Sequence, residues 1–136
     1  MYQALQGNLG LAKAINYFVS NGDIVAIPLN DTQSYDLVVE INGKLSKVSV
    51  KTGRSSQKSN GIYTIQLRNT GGGRKNDIRQ VPFDNNTCDY VFIYTIDENL
   101  YLIPSKDIKT KAAVNVNNEW SRQYQVFIKR FDEFKN

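Results

Sequence analysis

Two segments of the chain repeat their apolar residues with the period of an α-helix. The first runs from about residue 9 to residue 20, with Asn8 in position to cap its start and Gly22 to end it. Its apolar face consists of Leu11, Ile15, Phe18 and Val19. The second, near the C-terminus, carries an aromatic stripe that predicts a helix packed on the core: Trp120, Tyr124, Phe127, Phe131 and Phe134.

Between these segments the pattern predicts six strands, at about residues 23–28, 35–41, 45–52, 62–67, 90–94 and 100–103. Asn42-Gly43 joins the second strand to the third and is a strong signal for a tight hairpin. Residues 90–94 are almost continuously apolar, which is typical of a strand covered on both faces. A short helical turn is expected from Pro104-Ser105. The pattern predicts one α/β domain over residues 1–136, with a central mixed sheet flanked by helices.

The amino-acid composition excludes several classes of enzyme and metal site. The chain has no histidine, which excludes Ser-His-Asp and Cys-His hydrolases, histidine-ligated zinc and HNH-type nuclease chemistry. The single cysteine, Cys88, cannot form an internal disulfide, and one thiol is too few for a structural zinc site. No apolar run is long enough to span a membrane and the first residues lack the layout of a secretory signal, so we expect a cytoplasmic protein.

The net charge of +4 and the pI of about 9.2 are compatible with a polyanionic partner but do not require one.

The hairpin brings polar residues together. With its turn at residues 42–43, Asp36 is expected opposite Ser49, with Lys51 one step further on the same face. A carboxylate, a hydroxyl and an ammonium in one patch can hold a divalent cation against a phosphate and activate water. The same spacing also fits an exposed strand face with one salt bridge, and the residues alone leave both readings open.

The segments YDLVVE (35–40), GKL (43–45) and VSVKT (48–52) resemble the core of PD-(D/E)xK nucleases. Within that superfamily they are most similar to the small branch of bacterial homing endonucleases encoded in group I introns. Four further segments fit this branch in order: GNLG (7–10), NGDIV (21–25) with Pro28, DYVF (89–92) and YLIP (101–104). The resemblance therefore covers about residues 7–110.

This resemblance implies a restriction-endonuclease-like fold and a sequence-specific endonuclease of homing type that cuts double-stranded DNA with Mg²⁺ or Mn²⁺. Asp36 matches the metal-binding aspartate of the family and Lys51 its lysine. Val50 occupies the position whose backbone carbonyl helps to hold the metal.

Two catalytic positions depart from the family pattern. Ser49 stands where the family has Glu, or Gln in this branch, and Leu11 stands where the branch is expected to place a Glu on the first helix. No replacement acid is evident. One hypothesis is therefore an endonuclease with a reduced ligand set. The alternative is a DNA-binding protein that has lost cleavage, either a repressor or an inactivated variant.

The segment from about residue 52 to 75 is basic and contains no acid. We predict it to be a β-hairpin that contacts DNA, because arginine and glutamine suit the reading of base edges in the major groove. The residues expected to contact DNA are Arg54, Lys58, Tyr63, Gln66, Arg68, Arg74 and Lys75. A solvated hairpin with a flexible tip is the competing interpretation.

Because one subunit of this size reads a long site poorly, a homodimer or homotetramer is expected. The C-terminal aromatic helix or the apolar run around Tyr90 would supply its interface. A third reading of the whole chain is an unrelated α/β interaction domain with an accidental motif.

Overall fold

The computed structural model describes residues 3–30, 33–53, 60–70 and 80–130. Helix α1 spans Gln3–Ser20, and the strands that follow are β1 Ile24–Ala26, β2 Leu37–Ile41, β3 Lys44–Gly53, β4 Tyr63–Gln66, β5 Asn69–Thr70, β6 Gln80–Val81, β7 Tyr90–Thr95 and β8 Asn99–Pro104. A 3₁₀ turn at Ser105–Asp107 comes next, as expected after Pro104. The described chain then forms β9 Ala113–Val116, α2 Glu119–Arg122 and β10 Gln125–Val126.

Six strands form the central sheet in the order β1-β2-β3-β7-β8-β10. The β3 and β7 strands are parallel, and the other neighbours are antiparallel. This confirms the predicted α/β domain with a mixed sheet. Smaller two-stranded sheets pair β4 with β9 and β5 with β6.

The two faces of the sheet are covered differently. Helix α1 packs on one face around fully buried apolar side chains, among them Phe18, Leu37, Val39, Val48 and Phe92. The other face is covered over β7 and β8 by β4 and β9, whose Ile65 and Val116 are buried. Among the described residues, the helix packed on the sheet is α1, and a small sheet covers part of the second face.

The hairpin of β2 and β3 has the predicted turn and register. Asn42 and Gly43 both have positive φ, 51° and 79°, as a tight hairpin turn requires. Leu37 pairs with Val48, which fixes Asp36 at the level of Ser49. Strand β3 is ten residues long and β2 only five, so β3 continues beyond the first residue of β2. This stretch of β3, which has no β2 residue opposite it, lies beside Asp36.

The first helix begins at Gln3 rather than near Leu9, so Asn8 is an exposed residue within the helix and not its cap. Ala4, Leu5 and Gln6 have high helix propensity and extend it past the predicted start. Gly22 follows its last turn with φ 87°, as expected of a residue that ends a helix.

The predicted C-terminal helix is wrong over the described residues. Asn118 caps only the short α2, and the chain then forms β10, which pairs with the edge of β8. Trp120 and Phe127 are exposed rather than packed in the core, although Tyr124 is partly buried. Edge pairing with β8 overrides the helical spacing of the aromatic residues, of which Phe131 and Phe134 lie outside the described residues.

Strand β7 is covered on both faces, as predicted, and its residues from Val91 to Thr95 are buried. The apolar run around Tyr90 is thus part of the core, and the expectation that it supplies a subunit interface is wrong.

Candidate active site

Asp36 lies immediately before β2 and extends the pairing with β3 through both its main chain and its side chain. Its backbone N–H donates to the carbonyl of Val48 at 2.8 Å. Its carboxylate oxygen Oδ2 accepts from the N–H of Val50 at 2.6 Å. The carboxylate of Asp36 is therefore fixed at the edge of β3, in the place where a β2 main chain would otherwise pair.

Val50 presents a second oxygen to the same edge. The N–H and C=O groups of one strand residue point to the same side of the strand. Because the Val50 N–H reaches Asp36, its carbonyl is directed to the Asp36 side as well. The Asp36 carboxylate and the Val50 carbonyl can thus act together on one cation.

Lys51 projects from the opposite face of β3 to α1 and lies beside Ile93 of β7. Burial lowers the pKa of Lys51, and the negative charge of Asp36 partly opposes that shift. The structure thus brings Asp36, Val50 and Lys51 together at one end of β3, with the ammonium in a partly desolvated position where its charge acts more strongly.

Ser49 is 3% exposed and pairs with Val91. Beside it lies Cys88, whose thiol is hydrogen-bonded to the Ser49 backbone and is 3.3 Å from the hydroxyl of Ser105. Burial raises the pKa of the Cys88 thiol, with these hydrogen bonds acting in the opposite direction. The position of the family acid is therefore buried and holds a neutral hydroxyl. Cys88, considered in the sequence only for disulfides and zinc, is a neighbour of the site that the sequence pattern does not reveal.

Leu11 is half-buried and packs with the apolar cluster between α1 and the sheet. Its neighbour Gly10 is in close contact with β3, because a Cβ built there would lie 2.1 Å from Thr52 Oγ1 and 3.6 Å from Val50 Cγ1. Helix α1 thus brings position 11 close to the candidate site, but the side chain there contributes apolar packing and no oxygen.

The donors available to a divalent cation are few. Among the described residues, no group of three or more acidic, cysteine or histidine side chains is placed to hold a metal ion. One neutral oxygen is notable: Gln6 Oε1 is buried and has no hydrogen-bond partner in the described part of the chain. The main-chain oxygen of Gln6 accepts from Thr52 Oγ1 at 3.2 Å, so Gln6 borders the same end of β3. One carboxylate with neutral oxygens fits a weakly held, largely hydrated cation.

The residues predicted to contact DNA fall into three groups. Gln66 and Arg68 are exposed on the outer side of β4 and the residues after it. Tyr63 is 6% exposed and belongs to the core, so its assignment to a DNA-contacting surface is wrong. The other four, Arg54, Lys58, Arg74 and Lys75, lie outside the described residues.

The pairing of this region also differs from one hairpin over residues 52–75, because β4 pairs with β9 and β5 with β6. Tyr63, Ile65 and Leu67 alternate as an apolar row that is buried against the sheet, which leaves only the intervening polar row facing outward.

In the described ranges no helix is long and apolar enough to cross a membrane.

Comparison with known proteins agrees with this geometry. A search of curated proteins finds no match. Among solved structures, a bacterial homing endonuclease, I-Ssp6803I, is similar with a TM-score of 0.73 and 26% sequence identity, over 92% of this chain and 89% of that one. The likeness confirms the restriction-endonuclease-like fold. A family model described as PD-(D/E)XK endonuclease matches residues 1–136. The chain therefore belongs to the PD-(D/E)XK endonuclease family.

Proposed function

We propose that this protein is a sequence-specific endonuclease of homing type that hydrolyses phosphodiester bonds of double-stranded DNA with Mg²⁺ or Mn²⁺. The observation that carries this proposal is the Asp36 carboxylate held on the Val50 N–H beside Lys51. Family membership and the likeness to a homing endonuclease support the choice of substrate.

In this proposal the Asp36 carboxylate and the Val50 carbonyl hold the cation, with Gln6 Oε1 as a neutral oxygen nearby. When bound, the cation supplies charge neutralisation at the phosphate and a more acidic water. The Val50 N–H keeps the carboxylate in one orientation. Lys51, partly withdrawn from water by β7, binds a nonbridging phosphate oxygen and stabilises the charge that develops there.

A DNA-binding protein that has lost cleavage is the second candidate. The specific observation in its favour is that the two remaining acid positions are filled by the half-buried Leu11 and the buried Ser49. With a single carboxylate the cation is held weakly, since hard cations are bound mainly by charged oxygens. The two candidates share the fold and the DNA contacts and differ only in turnover.

The experiment first selects bound sites from a random double-stranded oligonucleotide library and then incubates the selected DNA with protein and Mg²⁺ or Mn²⁺. Cleavage that is lost in Asp36→Ala and retained in Glu40→Gln establishes the endonuclease. Glu40 is the control because it is an acidic residue of β2 that lies opposite Leu45, near the turn and away from Val50. Tight binding without cleavage in the unmodified protein establishes the second candidate.

We also propose that the protein acts in the cytoplasm as a homodimer or homotetramer, because two subunits related by symmetry match the two strands of a near-palindromic site. Sedimentation of the protein with and without the selected DNA tests this. The proposal would be contradicted if the free protein had the mass of one 15.5 kDa chain and the complex contained one chain per DNA duplex.

A further inference from the structure

Lys47 is a second basic residue on the face of β3 that carries the candidate site. It precedes Ser49 and Lys51 by two and four residues, so its side chain leaves the strand on the same face. Unlike the half-buried Lys51, Lys47 is exposed. The two lysines therefore differ in what they can do: one acts from a partly desolvated position and the other is accessible to a large ligand.

An aromatic ring holds the Lys47 side chain. The ammonium Nζ lies over the ring of Tyr35, 5.3 Å from its centroid, within the range of a cation–π contact. In the hairpin, Lys47 pairs with Val38, and Tyr35 comes three residues before Val38. The contact therefore draws the ammonium along the strand toward Asp36, which is next to Tyr35.

The fold holds both the main chain of Lys47 and the ring of Tyr35 in place. Asp89 forms two bonds to the main chain of Lys47: its carboxylate accepts from the Lys47 N–H at 2.8 Å, and its own N–H donates to the Lys47 carbonyl at 2.8 Å. Tyr35 is partly buried and packs against the core cluster under β4 and β9. The main chain of Lys47 and the ring below its ammonium are therefore both held in place by the fold.

The charge of Lys47 is available to an anion. Among the described residues, the carboxylate that lies within 4 Å of a lysine ammonium is that of Glu98. Its partner is Lys13 and not Lys47. The ring of Tyr35 orients the ammonium without neutralising it. A fixed, accessible and un-neutralised cation beside a site for phosphodiester chemistry fits a phosphate of the nucleic acid backbone.

We propose that Lys47 binds a backbone phosphate of the DNA strand next to the Asp36–Lys51 site, with Tyr35 as the residue that positions it. The inference rests on the proposed function, because it takes DNA as the ligand. Lys47 would orient the DNA strand without taking part in the reaction at the phosphorus atom.

The test compares Lys47→Gln with Lys44→Gln in binding the selected DNA over a series of salt concentrations. Lys44 is an exposed lysine of the same strand on its opposite face, so the control removes the same charge. Loss of one phosphate contact lowers the slope of log K against log salt by about 0.9. We expect this change in Lys47→Gln and an unchanged slope in Lys44→Gln.

Equal slopes in the unmodified protein and Lys47→Gln would overturn the inference while leaving the proposed function intact. If the unmodified protein enriches no DNA from the library, both the inference and the proposed function are overturned. Lys47→Arg should restore the slope, because guanidinium keeps both the charge and the stacking on the ring.

Tyr35 has its own pair of variants. Tyr35→Phe retains the aromatic face and should keep the slope of the unmodified protein, whereas Tyr35→Leu should lower affinity while Lys47 remains present. The thermal midpoint of each variant is measured alongside, so a loss of affinity in Tyr35→Leu counts only at temperatures where the variant is folded. Equal affinities for the Phe and Leu variants would refute the positioning role of Tyr35.

Discussion

The close contact of α1 with β3 gives a stability prediction for Gly10→Ala. On an ordinary helix surface this substitution stabilises by about 1 kcal/mol, since alanine has the higher helix propensity. Here the new Cβ would lie 2.1 Å from Thr52 Oγ1, a separation that cannot persist. Rotation of Thr52 relieves the overlap but breaks its hydrogen bond to the Gln6 carbonyl. Leaving that partly buried hydroxyl without a partner costs about 1–3 kcal/mol.

We therefore expect Gly10→Ala to destabilise the protein by about 1 kcal/mol in the natural background. In a Thr52→Ala background the overlap with Oγ1 is absent, and the same substitution should stabilise by up to about 1 kcal/mol. Urea unfolding of the four proteins in this double-mutant cycle measures the coupling, which we expect to be about 2 kcal/mol. A coupling below about 0.5 kcal/mol would refute the proposed steric conflict, because distant sites are additive within that range.

Three further predictions use the same unfolding measurement. Val48→Ala, at a fully buried position, should destabilise the protein by about 2–3 kcal/mol. Leu45→Ala, at a position of the same strand that is 70% exposed, should change the stability by less than about 0.5 kcal/mol. Similar losses in the two variants would contradict this difference in burial. Asn118→Ala removes the N-cap of α2 and should lower the free energy of unfolding by about 1 kcal/mol. An unchanged free energy of unfolding would show that the cap does not stabilise the protein. Burial and the hydrogen bond to Glu98 raise the pKa of Tyr94 from 10.0 to about 12, so the folded state favours the protonated phenol. That contribution is complete below about pH 10 and disappears as the pH rises through about 12, and Tyr94→Phe should show a shallower loss of stability across this window.

Local signals in the sequence predicted the part of the fold that carries the candidate site. Asn42-Gly43 can adopt the positive φ values of a tight turn, and the turn fixes the register that brings Asp36 to the level of Ser49. The sequence did not reveal that the Asp36 carboxylate accepts from the Val50 N–H, because that bond depends on β2 starting one residue after Asp36.

The incorrect predictions concern segments whose structure depends on distant partners. Residues 125–126 form a strand because the edge of β8 is available to them, which a periodicity of aromatic residues cannot show. Strand β9 was missed because Ala113–Val116 is short and is stabilised by pairing with β4, about 50 residues earlier in the chain. Burial of Tyr63 follows from the same pairing, and a tyrosine in a polar segment gives no local sign of it.

The parallel pairing of β3 with β7 has a consequence for the order of folding. The β2–β3 hairpin closes a loop of a few residues, so Asp36 and Val50 can meet early and at low entropic cost. Lys47 and Asp89, by contrast, are 42 residues apart, and the chain between them must be gathered before β7 can dock. Burial of Lys51 depends on that later step. The burial of this lysine is therefore a late event in folding, and the rate at which the amine-directed labelling of Lys51 changes would report when β7 docks on the hairpin that carries the candidate site.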